Sequence, residues 1–182
     1  MPMENLAGEF CDALQYVDLD LVVILKVHLF IEERLNSILE RFVFHPEYLT
    51  KMRLSFADKV LFARAISLDE HDGEIWNLIN SINRLRNDCA HKTGSPERDK
   101  KIDDVLNMFA PLDKKTIGQA EDQELPKHVS LANAGALCAG FLHGLELEIE
   151  RFRSVLKIMD RVWNPHRHVT TDISDESLKS GA

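Results

Sequence analysis

The sequence predicts an all-α fold, a single-domain antiparallel helical bundle with two long helices, a motif-bearing helix and a long C-terminal helix. Three observations lead there. Apolar residues recur at spacings of three and four through several long windows, the period of one face of an α-helix. Residues of helix-starting and helix-stopping type bracket those windows. No stretch alternates between apolar and polar residues as a half-buried strand does.

Leu6 to Tyr16 is the first expected helix, a short one. Asp18 or Asp20 can cap a second, which runs to about Phe44, where His45-Pro46 stops it. Within it Ile24, Val27, Ile31, Leu35, Ile38 and Phe42 form one apolar stripe that needs partner helices. Ser55 followed by Asp58 resembles a helix start, and Phe56, Val60, Leu61, Ala63 and Ile66 give the third helix its apolar side. The fourth is expected from about Asp72 to Lys92, with Ile75, Leu78, Ile79, Ile82, Leu85 and Cys89 on one side, and Gly94-Ser95-Pro96 ends it. A short helix over Glu97 to Phe109 follows, then a loop from Pro111 to Pro126. The last long helix is expected from about Ser130 to Trp163.

The first half of that helix is rich in small residues: Ala132, Ala134, Gly135, Ala136, Ala139, Gly140 and Gly144. Small side chains let helix backbones approach, so this half is expected to pack closely in the core or against a second subunit. Residues 1–163 are read as the bundle. Residues 164–182 lack a helical stripe and are expected to form a mobile tail.

Composition narrows the function. A chain of 182 residues, 45% hydrophobic and 29% charged, is long enough to bury a core without staples. The start, Met1-Pro2-Met3-Glu4, lacks the basic and apolar regions of a secretory signal. The most apolar stretch, Leu19 to Ile31, is broken by Asp20, Lys26 and His28, so no membrane span is expected. Cys11, Cys89 and Cys138 make an odd count with no CxxC pair, which argues against a disulfide framework or zinc knuckle. Cys89 is most simply a core thiol. The cytoplasm is the default compartment. A net charge of -8 disfavours nonspecific coating of nucleic acid, which depends on cations replacing counterions around phosphates. His166-Arg167-His168 reads as a solvated segment rather than a metal site, since no Cys or carboxylate stands at ligand spacing. No phosphate-binding glycine loop, HExxH pair or nucleophile elbow occurs, and no metal or cofactor is expected.

Chemistry concentrates at the end of the fourth helix. With Ile75 set at zero, Arg86 falls at about 20 degrees, inside the apolar arc. A buried cation needs a carboxylate, carbonyl acceptors or an anionic ligand. Glu32, at the inner edge of the second helix, is the preferred partner, because Glu33 points to water. His28 also faces inward and reads as a hydrogen-bonded core histidine. Beside the apolar arc, Asn80, Asn83, Asn87 and His91 form a polar stripe at about 80 to 160 degrees. That stripe reads either as a seam between helices or as the edge of a site. Residues 84–101 carry Arg84, Arg86, Lys92, Arg98, Lys100 and Lys101 against Asp88, Glu97 and Asp99, a local positive excess of three. Arg84, Lys92 and Arg98 are therefore expected at a phosphate-attracting rim.

The string Leu85-Arg86-Asn87-Asp88-Cys89-Ala90-His91, late in a helical domain, resembles the signature of the HEPN superfamily, the higher eukaryotes and prokaryotes nucleotide-binding domains. That motif is Arg, a polar residue, three further positions, then His. Asn87 fills the polar slot, and Ala90 before His91 is similar to many members. The resemblance covers the helices between about residues 20 and 160, but its specific content is these few positions. It implies a metal-independent endoribonuclease of toxin or defence type acting on RNA as a homodimer, or a noncatalytic relative that binds a nucleotide or serves as a protein-interaction or regulatory module. His91 is then the general base or acid, Arg86 stabilises charge on the phosphate, and Asn87 orients phosphate or His91, with Glu32 and Asn83 in support. An antitoxin or regulatory protein is the implied partner. Members neutralised by a nucleotidyltransferase carry a tyrosine two residues after the histidine, and Thr93 stands there, which argues against that regulation. On one helix Arg86 and His91 lie about 140 degrees apart. A distorted helix end or a second subunit must bring them to one phosphate, which is the reason to expect a homodimer.

Overall fold

Asp18 starts α1 (Leu19–Phe42) as an N-cap, its carboxylate accepting from the Leu21 amide at 3.0 Å. The computed structural model describes residues 18–68, 73–91, 96–117 and 125–167; at residues 90, 91, 96 and 114–117 it describes the backbone only. The helix expected over Leu6 to Tyr16 lies outside the described residues. Ile24, Ile31, Leu35 and Ile38 of α1 are fully buried, as their spacing predicts, while Val27 and Phe42 are half-buried at the edge of the core. The helix ends two residues before the expected Phe44, because Val43 is already extended ahead of His45-Pro46.

A 3-10 turn (Pro46–Tyr48) and one helical turn, α2 (Leu49–Met52), follow, and Arg53 closes them in the left-handed region at φ 50. Ser55 and Asp58 then form a reciprocal capping box that starts α3 (Phe56–Ile66). Phe56, Val60 and Ala63 bury their side chains; Leu61, expected on the same side, is 65% exposed, since it stands one residue off their four-then-three spacing.

α4 (Gly73–His91) buries the expected Leu78, Ile79, Ile82, Leu85 and Cys89, and also Trp76, which meets Phe141 edge-on with ring centroids 5.1 Å apart. α5 (Pro96–Ile117) corrects the expected short helix and loop: it passes through Pro111. Proline removes one backbone donor and crowds the preceding turn. The stripe Ile102, Val105, Phe109 and Leu112 nevertheless runs unbroken into the core, and continued burial offsets that local cost. α6 (Lys127–Trp163) spans 37 residues. After Asn164 a 3-10 turn (Pro165–Arg167) occupies the start of the expected tail; the rest of that tail lies outside the described residues.

All six α-helices among the described residues pack around one core, and these residues contain no strand. Direction follows from paired contacts. His28 meets Asn83, and Asp18 acts electrostatically on Cys89, so α1 and α4 are antiparallel as expected. His128 faces Asp20, Gly135 faces Val27, Ser37 reaches Glu146, and Arg41 reaches Glu150. α1 and α6 therefore run in the same direction, the exception to a simple up-and-down order. The four helices between them in sequence, one of them a single turn, make that crossover possible.

Small residues make the α1–α6 contact close. Ala134, Gly135, Cys138 and Ala139 are buried, with Gly135 against Val27 of α1, whereas Ala132, Ala136, Gly140 and Gly144 are exposed. Further along, Glu146 is 3% exposed yet well partnered: Ser37 Oγ donates at 2.6 Å, Arg41 Nε lies at 2.6 Å and Arg34 approaches at 3.4 Å. Burial, the largest influence, pushes its carboxyl up. The Ser37 hydroxyl, His143 and Arg41 together outweigh that and hold it below the usual range. No helix among the described residues is long and apolar enough to cross a membrane.

Candidate functional site

The polar edge of α4 meets α1 and α3 at His28. This imidazole is 5% exposed, stacks on Phe56 with centroids 4.6 Å apart, and places Nε2 at 3.0 Å from Asn83 Oδ1. Its other nitrogen, Nδ1, lies 4.0 Å from Glu32 Oε2, and Glu32 Oε1 in turn accepts from Lys59 Nζ at 2.6 Å. A chain of polar groups, Lys59 to Glu32 to His28 to Asn83, thus crosses three helices. Burial holds His28 below the ordinary imidazole value. Asn83 and Glu32 act in the opposite sense, while Arg86 and Lys59 add to the depression.

This arrangement corrects the expected partnership of Glu32 with Arg86. Lys59 claims the carboxylate, and Arg86 NH1 instead donates to Asn87 Oδ1 at 3.1 Å. Arg86 is half-buried and Asn87 exposed. The stem of an arginine can lie along an apolar surface while its head reaches the edge, so a place on the apolar arc does not force the charge into the core. Asn83, expected in a supporting role, is half-buried and bound to His28.

Next to this edge is an open groove of about 370 Å³ lined by Ser81, Arg84, Leu85, Asn87, Asp88, Lys101 and Asp104. It joins Arg84, from the expected rim, to Asn87. Lys101 forms an ion pair with Asp88 across its wall. Arg98 is directed elsewhere: its guanidinium binds Asp18 at 2.6 Å and ties α5 to the start of α1. Lys92 lies outside the described residues. His91 closes α4 and is described as backbone only, so the structure does not place its imidazole.

Cys89 is buried, and burial raises its thiol above the ordinary value, as befits a core thiol. Cys138 is pushed up to about 12 by the same cause. Among the described residues no group of three or more His, Cys, Asp or Glu is placed to hold a metal ion.

Two participants were missed by sequence reasoning. Lys59 is separated from Glu32 by 27 positions, and nothing local marks it as the partner. Lys101 was counted in a positive cluster, but its pairing with Asp88 depends on how α5 folds back on α4. His28 did carry a signal, its inward angle on α1.

Fold and site together define an all-α bundle with a buried histidine–amide link and a mixed-charge groove on its Arg86-bearing helix. No family model, curated protein or solved structure matches the chain.

Proposed function

We propose that this chain is a HEPN-like domain that acts as a metal-independent endoribonuclease of toxin or defence type, working as a homodimer in the cytoplasm. The observation that carries the reading is the state of Arg86. Lys59 occupies Glu32, so among the described residues the guanidinium is held by the neutral amide of Asn87, a residue that lines the groove, and it keeps donors for a phosphate. In this reaction His91 accepts the proton of an RNA 2'-hydroxyl, the 2'-oxygen attacks the adjacent phosphorus, and the 5'-oxygen leaves with a proton returned by an imidazole. Arg86 stabilises charge on the nonbridging oxygens, and Asn87 orients the phosphate. The second subunit supplies the alignment that one straight helix denies to Arg86 and His91.

The test is incubation of purified protein with structured and unstructured RNAs in EDTA, beside His91→Ala and Arg86→Ala. Cleavage by the wild type, lost in both variants with the helical circular dichroism spectrum intact, is the expected result. Intact RNA throughout refutes the enzyme reading.

A second reading, a noncatalytic HEPN-like module for a nucleotide or a regulatory protein, draws on a different observation. The groove carries two cations, Arg84 and Lys101, against two carboxylates, Asp88 and Asp104, and is not a basic cleft. Under that reading ligand binding depends on Arg86, and RNA stays whole.

A further inference from the structure

An amide side chain offers an acceptor at one end and two donors at the other, so whichever end the protein occupies decides what remains for a ligand. At Asn83 the occupied end is the oxygen, which faces His28 Nε2 at 3.0 Å. At Asn87 it is again the oxygen, which accepts from Arg86 NH1 at 3.1 Å. Asn83, Arg86 and Asn87 stand at i, i+3 and i+4 on α4 and so share one face of the helix. Among the described residues, what they leave to offer is dominated by donors: two amide NH2 groups and the rest of a guanidinium. A face of that kind suits anionic oxygens and is poorly matched to a ligand that must donate.

The orientation at Asn83 is imposed from behind. With the Asn83 oxygen opposite it, a hydrogen bond at this distance requires His28 Nε2 to carry the hydrogen. The ring is buried and stacked on Phe56, which packs both of its faces away from solvent and restricts its motion. Lys59 holds Glu32, and so keeps that carboxylate 4.0 Å from Nδ1, beyond hydrogen-bonding distance. Were Nδ1 to carry the proton instead, Nε2 would become an acceptor. Asn83 would then turn its NH2 inward and its oxygen towards the ligand.

We propose that His28 is a positioning residue that fixes the Asn83 amide with its NH2 outward, so that Asn83, Arg86 and Asn87 together receive a phosphodiester. This rests on the reading of Arg86 and Asn87 as phosphate contacts, and it adds His28 and the tautomer of its ring as the device that sets the polarity of the face.

The tautomer is read directly from the imidazole nitrogen shifts of His28 in the 15N-labelled wild-type protein at neutral pH. A protonated Nε2 with a bare Nδ1 is expected; the reverse overturns the proposal whatever the fate of any variant. Binding is read by fluorescence anisotropy with a labelled 2'-O-methyl oligoribonucleotide, which keeps the phosphodiesters and cannot be cleaved through a 2'-hydroxyl. Loss of one correctly placed hydrogen bond to a charged group predicts binding about tenfold weaker in His28→Leu. His28→Gln, whose amide can supply an N–H towards Asn83, is expected to recover most of it. Asn83→Asp, which turns donors into a carboxylate, is expected to weaken binding more than His28→Leu does. Equal affinity in the Gln and Leu variants, or no binding by the wild type, overturns the inference. Failure of the nuclease reading looks different: the oligonucleotide binds in a His28-dependent way, yet unmodified RNA remains intact.

Discussion

Replacing Gly135 by alanine tests a close contact between α1 and α6, and two opposed effects decide its sign. Alanine is favoured over glycine within a helix by about 1 kcal/mol. Against this, a Cβ at residue 135 would stand 2.6 Å from both γ-methyls of Val27, well inside van der Waals contact. Val27 is β-branched and strongly prefers one χ1 rotamer in a helix, so it cannot swing aside and the α1–α6 backbones must separate. Overpacking of this kind costs about 1–3 kcal/mol, which leaves Gly135→Ala destabilised by roughly 0–2 kcal/mol after the propensity gain. Gly140 and Gly144 lie in the same helix with nothing within 4 Å of a built Cβ. There the propensity gain is unopposed, and each alanine should stabilise by about 0.5–1 kcal/mol. Urea denaturation of the three variants, with Val27→Ala added to Gly135→Ala, measures the contrast. In the double variant the clash is relieved, so the two substitutions should couple favourably. The reasoning is refuted if Gly135→Ala gains as much stability as the other two, or if Val27→Ala shows no coupling to it.

Stability should also depend on pH through His28. The unfolded imidazole titrates near its ordinary value of about 6.5 and the folded one lower, so the unfolded chain binds the proton first; the His28 contribution is complete above about pH 6.5 and falls away as pH drops through the folded value. Glu32, Lys59 and Arg86 are the charged groups acting on the ring, and His28→Gln should flatten this part of the profile in urea midpoints taken between neutral and mildly acidic pH. An unchanged slope in His28→Gln would exclude the buried imidazole as its source. Glu146→Ala removes an acceptor shared by Ser37, Arg34 and Arg41 and should cost about 1.5–3 kcal/mol, within the range for hydrogen bonds to charged groups. Wild-type-like unfolding of that variant would show that solvent replaces those contacts without loss. Asp18→Ala should lower stability by about 1 kcal/mol through the lost N-cap. Asp18→Asn keeps the cap and loses only the charge opposite Arg98, so thermal melts of the pair separate the two roles.

Local physical chemistry made much of the fold legible. Asp18 supplies the acceptor a helix start needs, His45-Pro46 stops the same helix, and the Ser55–Asp58 spacing matches a capping box; each acts over a few residues, so the chain carries the whole signal. The buried stripe of α4 was likewise visible, because helical period alone collects Leu78, Ile79, Ile82, Leu85 and Cys89 on one side. Pro111 misled for the converse reason. Its local preference disfavours a helix interior, and the buried stripe that continues through Leu112 beyond it, a fact about packing, offsets that preference.

The site divides along the same line. The sequence by itself determined which chemical groups stand on one edge of α4, since Asn83, Arg86 and Asn87 follow from helical geometry. Tertiary structure alone decided what each one faces. Whether Glu32 serves Arg86 or Lys59 depends on which cation the packing of α3 and α4 brings nearer, and Lys59 at 2.6 Å is the one that arrives. The parallel course of α1 and α6 is of the same kind, set by contacts more than 100 positions apart. Side-chain periodicity fixes direction around a helix axis; it carries no information about the partner across the gap, and hydrogen bonds and ion pairs act only within a few ångströms of that partner.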